Sequence, residues 1–155
     1  MLTNHKIIEL FDKPLFTWVT IETPLEEAIP LPSEACFAYI TDGDGQVLSK
    51  KQELKAETGH TILSLCGITV GKMLSDQEKG KFNSMIIHFH KDQLRKIYED
   101  SKPPLWKELE APLTKFIVQK AATTLVKQYI LGIKHLFENK EAITEEILFL
   151  KIKEI

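Results

Sequence analysis

Residues 35–66 read ACFAYITDGDGQVLSKKQELKAETGHTILSLC, short apolar runs broken at close intervals by tight turn signals. Residues 36–41, 46–51 and 61–66 are read as three strands. Asp42-Gly43-Asp44-Gly45 is read as the hairpin turn joining the first two, because Gly and Asp tolerate the positive φ that such turns require. Glu57-Thr58-Gly59-His60 marks a second reversal before the third. Strands this short and this closely spaced predict an antiparallel sandwich or barrel.

Upstream, residues 6–11 and 15–22 are β-prone, with Pro14 taken as the break between them. The second run sets Phe16, Trp18 and Thr20 on one face and Thr17, Val19 and Ile21 on the other. Both faces are partly apolar, which predicts a strand covered on two sides. Pro24, Pro30 and Pro32 interrupt ladder pairing, so residues 23–33 are assigned to a loop or edge segment. Downstream, Ile68-Thr69-Val70 is a short strand or bulged continuation between Gly67 and Gly71, leading into Lys72-Met73-Leu74. Residues 75–81 are polar and read as an exposed turn. Residues 82–90 alternate as a further strand, with Phe82, Ser84, Ile86, His88 and His90 on one face.

From Asp92 the period turns helical, with Leu94, Ile97 and Tyr98 recurring until Pro103-Pro104. Residues 105–110 are read as a short helix and Phe116-Ile117-Val118 as one more strand. The longest helix is predicted over 121–137, carrying Leu125, Tyr129, Ile133 and Leu136 on one stripe and Val126, Ile130 and Phe137 beside it. Asn139 supplies its stop. Thr144 reads as the N-cap of a second helix, with Glu145 and Glu146 matching its dipole and Ile143 set to staple against Leu148. Ile147, Leu148, Leu150, Ile152 and Ile155 carry that pattern to the last residue, which predicts further polypeptide beyond Ile155.

A length of 155 residues fits one domain with a real core or one domain with an appendage, and the apolar fraction of 43% is that of an ordinary globular protein. Twenty basic against twenty-two acidic residues give a net charge of −2, a poor footprint for a self-sufficient nucleic-acid binder. No apolar run reaches the roughly twenty residues of a membrane span, and the N-terminus lacks a signal-peptide pattern, so a cytoplasmic protein with no membrane association is expected. The two cysteines, Cys36 and Cys66, lack CxxC spacing and read as small buried apolar residues.

The order and texture of FAYITDGDGQV, LKAETGHTILSLCG, IIHFHKDQLRKIYED and the two terminal helices ending in EEILFLKIKEI resemble the cupin-like regulatory domain at the N-terminus of AraC-family transcriptional regulators. The resemblance runs from about Ala35 onward, and the residues before it match only as extra strands. It implies an α+β fold, a cupin-like antiparallel β-barrel or sandwich followed by C-terminal helices. Residues 1–119 would form the barrel sensing domain, with a short helix near 92–101, and 120–155 a helical dimerisation and linker segment. It also implies an effector, a small molecule or a protein, and DNA contact only through a helix-turn-helix domain beyond residue 155.

His88-x-His90 places two imidazoles on one strand face, where both could reach a metal. Metal-binding cupins follow such a pair with Glu and supply another His from a later strand. Here Lys91, Asp92, Gln93, Leu94 and Arg95 follow, and His135 falls in a predicted helix, so no metal or cofactor is assigned and no catalytic residue is named. Asp42-Gly43-Asp44-Gly45 fails as a calcium loop, since Gly45 in the sixth position would put Ile40 first and Lys51 last. Neither GxSxG nor a phosphate-binding Gly-rich loop is present.

Trp18, Phe37, Tyr39 and His88 are the pocket-lining candidates, because barrels of this type hold small ligands among interior side chains; the alternative is a barrel packed solid. Leu125, Tyr129, Ile130, Ile133 and Phe137 are the candidates for homodimer association, on a stripe broad enough to cover the barrel with one edge and a second copy with the other. Two other function classes compete with the regulator: a free-standing cupin enzyme acting on a small metabolite, and a protein-interaction module with a solid barrel.

Overall fold

The computed structural model describes residues 2–23, 25–29, 35–48, 53–65, 69–73, 80–98 and 117–154. Its strands are β1 (Leu2–Leu10), β2 (Lys13–Thr23), β3 (Leu25–Ile29), β4 (Ala35–Asp42), β5 (Gly45–Leu48), β6 (Glu53–Ala56), β7 (His60–Leu65), β8 (Thr69–Met73), β9 (Gly80–Phe89) and β10 (Ile117–Ala121). Helix α1 (Lys91–Tyr98) follows β9, and α2 (Thr124–Glu138), a single 3-10 turn (Lys140–Ala142) and α3 (Glu145–Lys153) follow β10. All pairings are antiparallel, in a six-stranded sheet ordered β1-β2-β9-β4-β7-β10 and a four-stranded sheet ordered β3-β8-β5-β6.

Asp42-Gly43-Asp44-Gly45 is not a hairpin. β4 pairs with β7 and β9, whereas β5 pairs with β6 and β8, so the chain changes sheet at this corner. It returns at Glu57-Thr58-Gly59, and the two corners are bonded to each other. The Gly59 amide donates to the Ile40 carbonyl at 2.9 Å, and the Thr58 hydroxyl donates to the Gly43 carbonyl at 3.0 Å. Gly43 sits at φ +90°, and a Cβ there would stand 2.6 Å from the Lys81 carbonyl oxygen on β9. Positive φ was the right inference for this stretch, but hairpin geometry was not what it serves.

The break assigned to Pro14 is also displaced. The β1–β2 turn is Phe11-Asp12, at φ 53° and 59°, and Pro14 lies inside β2 opposite Glu9, beside a register shift. A bulge is one of the few places where a sheet tolerates proline. Residues 25–29, left between loop and edge segment, form β3 at the edge of the four-stranded sheet. β6 was not anticipated, since Glu53-Leu54-Lys55-Ala56 has no strand-like composition and is set by its pairing with β5. The helix expected from residue 121 starts at Thr124. Ala121 still pairs with His60, and the Thr123 hydroxyl caps the helix by accepting from the Val126 amide at 3.3 Å. Thr144 caps α3 as anticipated, accepting from Ile147 N at 3.3 Å. The helix assigned to 105–110 lies outside the described residues, as do residues 75–79 of the polar turn assigned to 75–81; Gly80 and Lys81 of that turn instead open β9, paired with Thr23 and Glu22 of β2.

Strand parity divides the six-stranded sheet into two apolar faces. Val19, Ile21, Ile40, Ile62 and Phe82 point toward the four-stranded sheet and share a core with Ala56 of β6. Ile8, Leu10, Phe16, Ala35, Met85, Ile87 and Phe89 point the other way, under Leu94 and Ile97 of α1, Ile130, Ile133 and Phe137 of α2, and Leu148 and Ile152 of α3. The prediction that β2 is covered on both sides holds for this reason: alternate residues feed alternate cores.

Candidate functional site

The four pocket candidates do not converge. Trp18 and Tyr39 both stand opposite Met85, and Phe37 opposite Ile87, so the three aromatic residues share the helix-covered face. His88 stands opposite Cys36 on the other face, 3% exposed, with its Nε2 2.8 Å from the Thr17 hydroxyl oxygen. Burial, with the neighbouring His90 adding to it, lowers the pKa of His88 to about 4, so the ring is neutral at physiological pH. The His88 and His90 rings lie stacked at 6.4 Å. Among the described residues no group of three or more His, Cys, Asp or Glu side chains is placed to hold a metal ion.

Three of the five association candidates are core residues. Ile130, Ile133 and Phe137 are 4%, 0% and 7% exposed against the sheet, because the stripe that gives α2 its amphipathic pattern is needed to cover that face. Tyr129 is half-buried, its hydroxyl donating to the Lys151 carbonyl at 2.8 Å and so joining α2 to α3. Leu125 is 77% exposed; Leu131, which the pattern did not single out, and Leu150, named in the pattern of the second helix but not for association, are 52% and 65% exposed. Among the described residues these are the large apolar side chains that the helices leave exposed.

A cleft of about 290 Å³ opens where the C-terminal half of α2 crosses β1 and β2, lined by Asn4, Lys6, Trp18, Thr20, Lys134, Phe137 and Glu138. Trp18 is its aromatic wall, meeting Phe137 edge-on at 6.3 Å and 74°, with Lys134 Nζ 5.4 Å from the indole centroid. The Thr20 hydroxyl donates to Asn83 Oδ1 at 2.8 Å, and the Glu138 carboxylate lies 3.1 Å from His135 Nδ1. Of the sequence candidates only Trp18 and Phe137 reach this cleft. Lys6 and Lys134 are more than a hundred positions apart in the chain, and only the packing of α2 on the strands brings them together.

Residues 35–155 match the family model of the ExsA N-terminal regulatory domain. Among solved structures, the chain is similar to ToxT of Vibrio cholerae. An apo form aligns at 12% identity over 91% of this chain and 53% of that one, with a TM-score of 0.53. ToxT bound to (E)-4-(8-methylnaphthalen-1-yl)but-3-enoic acid aligns at 12% over 90% and 54%, with a TM-score of 0.54. ToxT with a bound unsaturated fatty acid aligns at 12% over 93% and 53%, with a TM-score of 0.53. The chain thus spans about half the length of the ToxT chains it matches. No curated protein sequence matches it significantly.

Proposed function

The chain belongs to the ExsA N-terminal regulatory domain family of AraC-type transcription regulators, and from that premise we propose that it senses an effector, self-associates, and passes its state to a DNA-contacting portion outside these residues. The observation that carries this reading is the extent of the family match, which takes in the central strands and the three described helices together. A division of labour at about residue 120 follows the same line, with the sheets receiving the effector and the helical segment relaying it. An effector that binds one arrangement of the two better than the other shifts the population between them. The acids held by ToxT support a small-molecule effector.

Self-association is assigned to the helical leucines left in water. Leu125 stays from the original set, joined by Leu131 and Leu150, while Ile130, Ile133 and Phe137 are committed to the core. The reading as a non-enzyme is supported by His88, whose imidazole is buried against Thr17 and is not exposed at an open site. A protein of this kind works in the cytoplasm, and no helix among the described residues is long and apolar enough to cross a membrane.

The test is to fuse the whole chain to a heterologous DNA-binding domain that occupies a palindromic operator only as a dimer. The fusion is expected to repress a reporter, and Leu125→Glu with Leu131→Glu is expected to abolish repression at unchanged protein level. A soluble, folded fusion that never represses and sediments as a monomer rejects the associative part of the proposal.

A further inference from the structure

We propose that the cleft between β1, β2 and the C-terminal half of α2 binds a small aromatic monoanion, its ring against the Trp18–Phe137 wall and its acid group between the ammonium groups of Lys6 and Lys134. The inference deepens the regulatory reading and rests on that reading for its purpose, while binding itself is measured apart from any regulation.

The charges select an anion. Two basic residues and one acidic residue line the cleft, Lys6, Lys134 and Glu138. The Glu138 carboxylate is engaged by His135 at 3.1 Å. Among the described residues no carboxylate forms an ion pair with Lys6 or Lys134. Two ammonium groups thus face one cleft with a single, already engaged carboxylate beside them. A ligand amine there meets like charge, and a ligand acid meets two ammonium donors held in no ion pair among the described residues, one of them, Lys134, lying over the Trp18 ring at 5.4 Å.

The wall selects a ring. Trp18 is only half-buried on the helix-covered face, because Phe137 of α2 meets the indole edge-on and leaves part of it open to the cleft. A planar ring covering that surface gains apolar burial and an offset or edge contact with two aromatic side chains. Asn4 adds a neutral amide to the lining, and the Thr20 hydroxyl donates its hydrogen to Asn83. At about 290 Å³ the space is at the small end of ligand cavities and fits one or two rings, not a long chain.

The position gives binding a consequence. The lining comes from β1, β2 and α2, so a ligand here bridges the sheet to the helix that carries Leu125 and Leu131. Occupancy stabilises the seated arrangement of α2 by mass action.

Calorimetric titration of the full chain with indole-3-acetate, indole-3-acetamide and tryptamine holds the ring system constant while the charge runs from negative through neutral to positive. The acid is expected to saturate one site at low salt, with the amide about tenfold weaker and the amine weaker still. Lys6→Ala and Lys134→Ala are each expected to weaken the acid about fivefold to tenfold while the free variants melt with the parent chain. The proposal is overturned if no site saturates with the acid, if acid and amide bind alike, or if the double lysine variant binds the acid as the parent does. Sedimentation with and without the acid then reads its purpose: altered self-association ties the site to regulation, and binding without it keeps the site but removes that role. Failure to bind leaves the family assignment untouched.

Discussion

Gln93 Nε2 donates to the carbonyl oxygen of Leu10 at 2.7 Å, and to that of Lys13 at 3.3 Å, so one side chain from α1 closes both ends of the β1–β2 turn. The turn needs that support. Phe11 and Asp12 both have positive φ, which L-residues adopt at a cost, and neither is the Asn-Gly or Gly-Gly that makes such turns comfortable. Phe11 is further held by Phe149 of α3 at 5.9 Å and by Lys96 over its ring at 4.7 Å.

Gln93→Leu is therefore expected to destabilise the fold. Gln93 is 2% exposed, and an apolar replacement strands the Leu10 carbonyl without its donor, a loss of about 2 kcal/mol. Urea unfolding should show a lower midpoint with an unchanged slope. Asp12→Gly, at an exposed position that needs positive φ, is expected to be neutral or to stabilise by up to about 1 kcal/mol. A Gln93→Leu midpoint equal to that of the parent contradicts the clamp.

The buried imidazole of His88 sets an acid limit. Its pKa, lowered to about 4 by burial and then by His90, lies below the ordinary 6.5, so the unfolded chain takes up the proton first. Stability from this group is complete above about pH 6.5 and is withdrawn as the pH falls toward 4. At 1.36 kcal/mol per unit, the whole withdrawal is about 3 kcal/mol. Chemical unfolding at about pH 7 and about pH 5 is expected to show a clear fall for the parent and a smaller one for His88→Gln, which keeps a polar partner for Thr17 but does not titrate. An equal fall in both chains removes His88 as the cause.

The sequence was most legible where local rules act alone. The caps Thr123 and Thr144 differ in this respect: Thr144 was read correctly, while the strand pairing of Ala121 with His60 delayed the helix that Thr123 caps. Glycine punctuation located the corners at Gly43 and Gly59, but a turn signal carries no information on whether the next strand joins the same sheet. Parity showed that His88 and His90 share a face and that Phe37 and Tyr39 share one. It could not say that these two faces are opposite sides of the same sheet, because that depends on the β4–β9 register. The cleft was illegible for the same reason, being made by a helix crossing strands far away in the chain.

Gly43 and Gly59 make a matched pair for testing the corner. Both have positive φ, but a Cβ at Gly59 meets nothing within 4 Å, whereas one at Gly43 stands 2.6 Å from backbone. Gly59→Ala is expected to cost about 1 to 2 kcal/mol, the conformational term alone. Gly43→Ala adds a clash with the Lys81 carbonyl that no side-chain rotation relieves, and is expected to cost at least about 3 kcal/mol or to yield insoluble protein. Equal midpoints for the two variants remove the close approach of β9 from the account of this corner.

Ile133 and Leu125 lie on the same helix and in the same sequence stripe, yet glutamate is expected to act differently at each. Ile133 is 0% exposed in the core beneath α2, and burying a carboxylate there without a partner costs more than the fold can spare, about 4 kcal/mol or more. Ile133→Glu should therefore unfold the chain, so a lower sedimenting mass for this variant says nothing about association. Leu125 is 77% exposed, and Leu125→Glu should leave the far-ultraviolet spectrum and the melting midpoint close to those of the parent. Any mass change in Leu125→Glu then reports on the surface itself. The decisive measurement is sedimentation of Leu125→Glu with Leu131→Glu over a range of concentrations. A shift to monomer in a folded chain places association on these leucines, and a mass distribution identical to that of the parent moves it elsewhere.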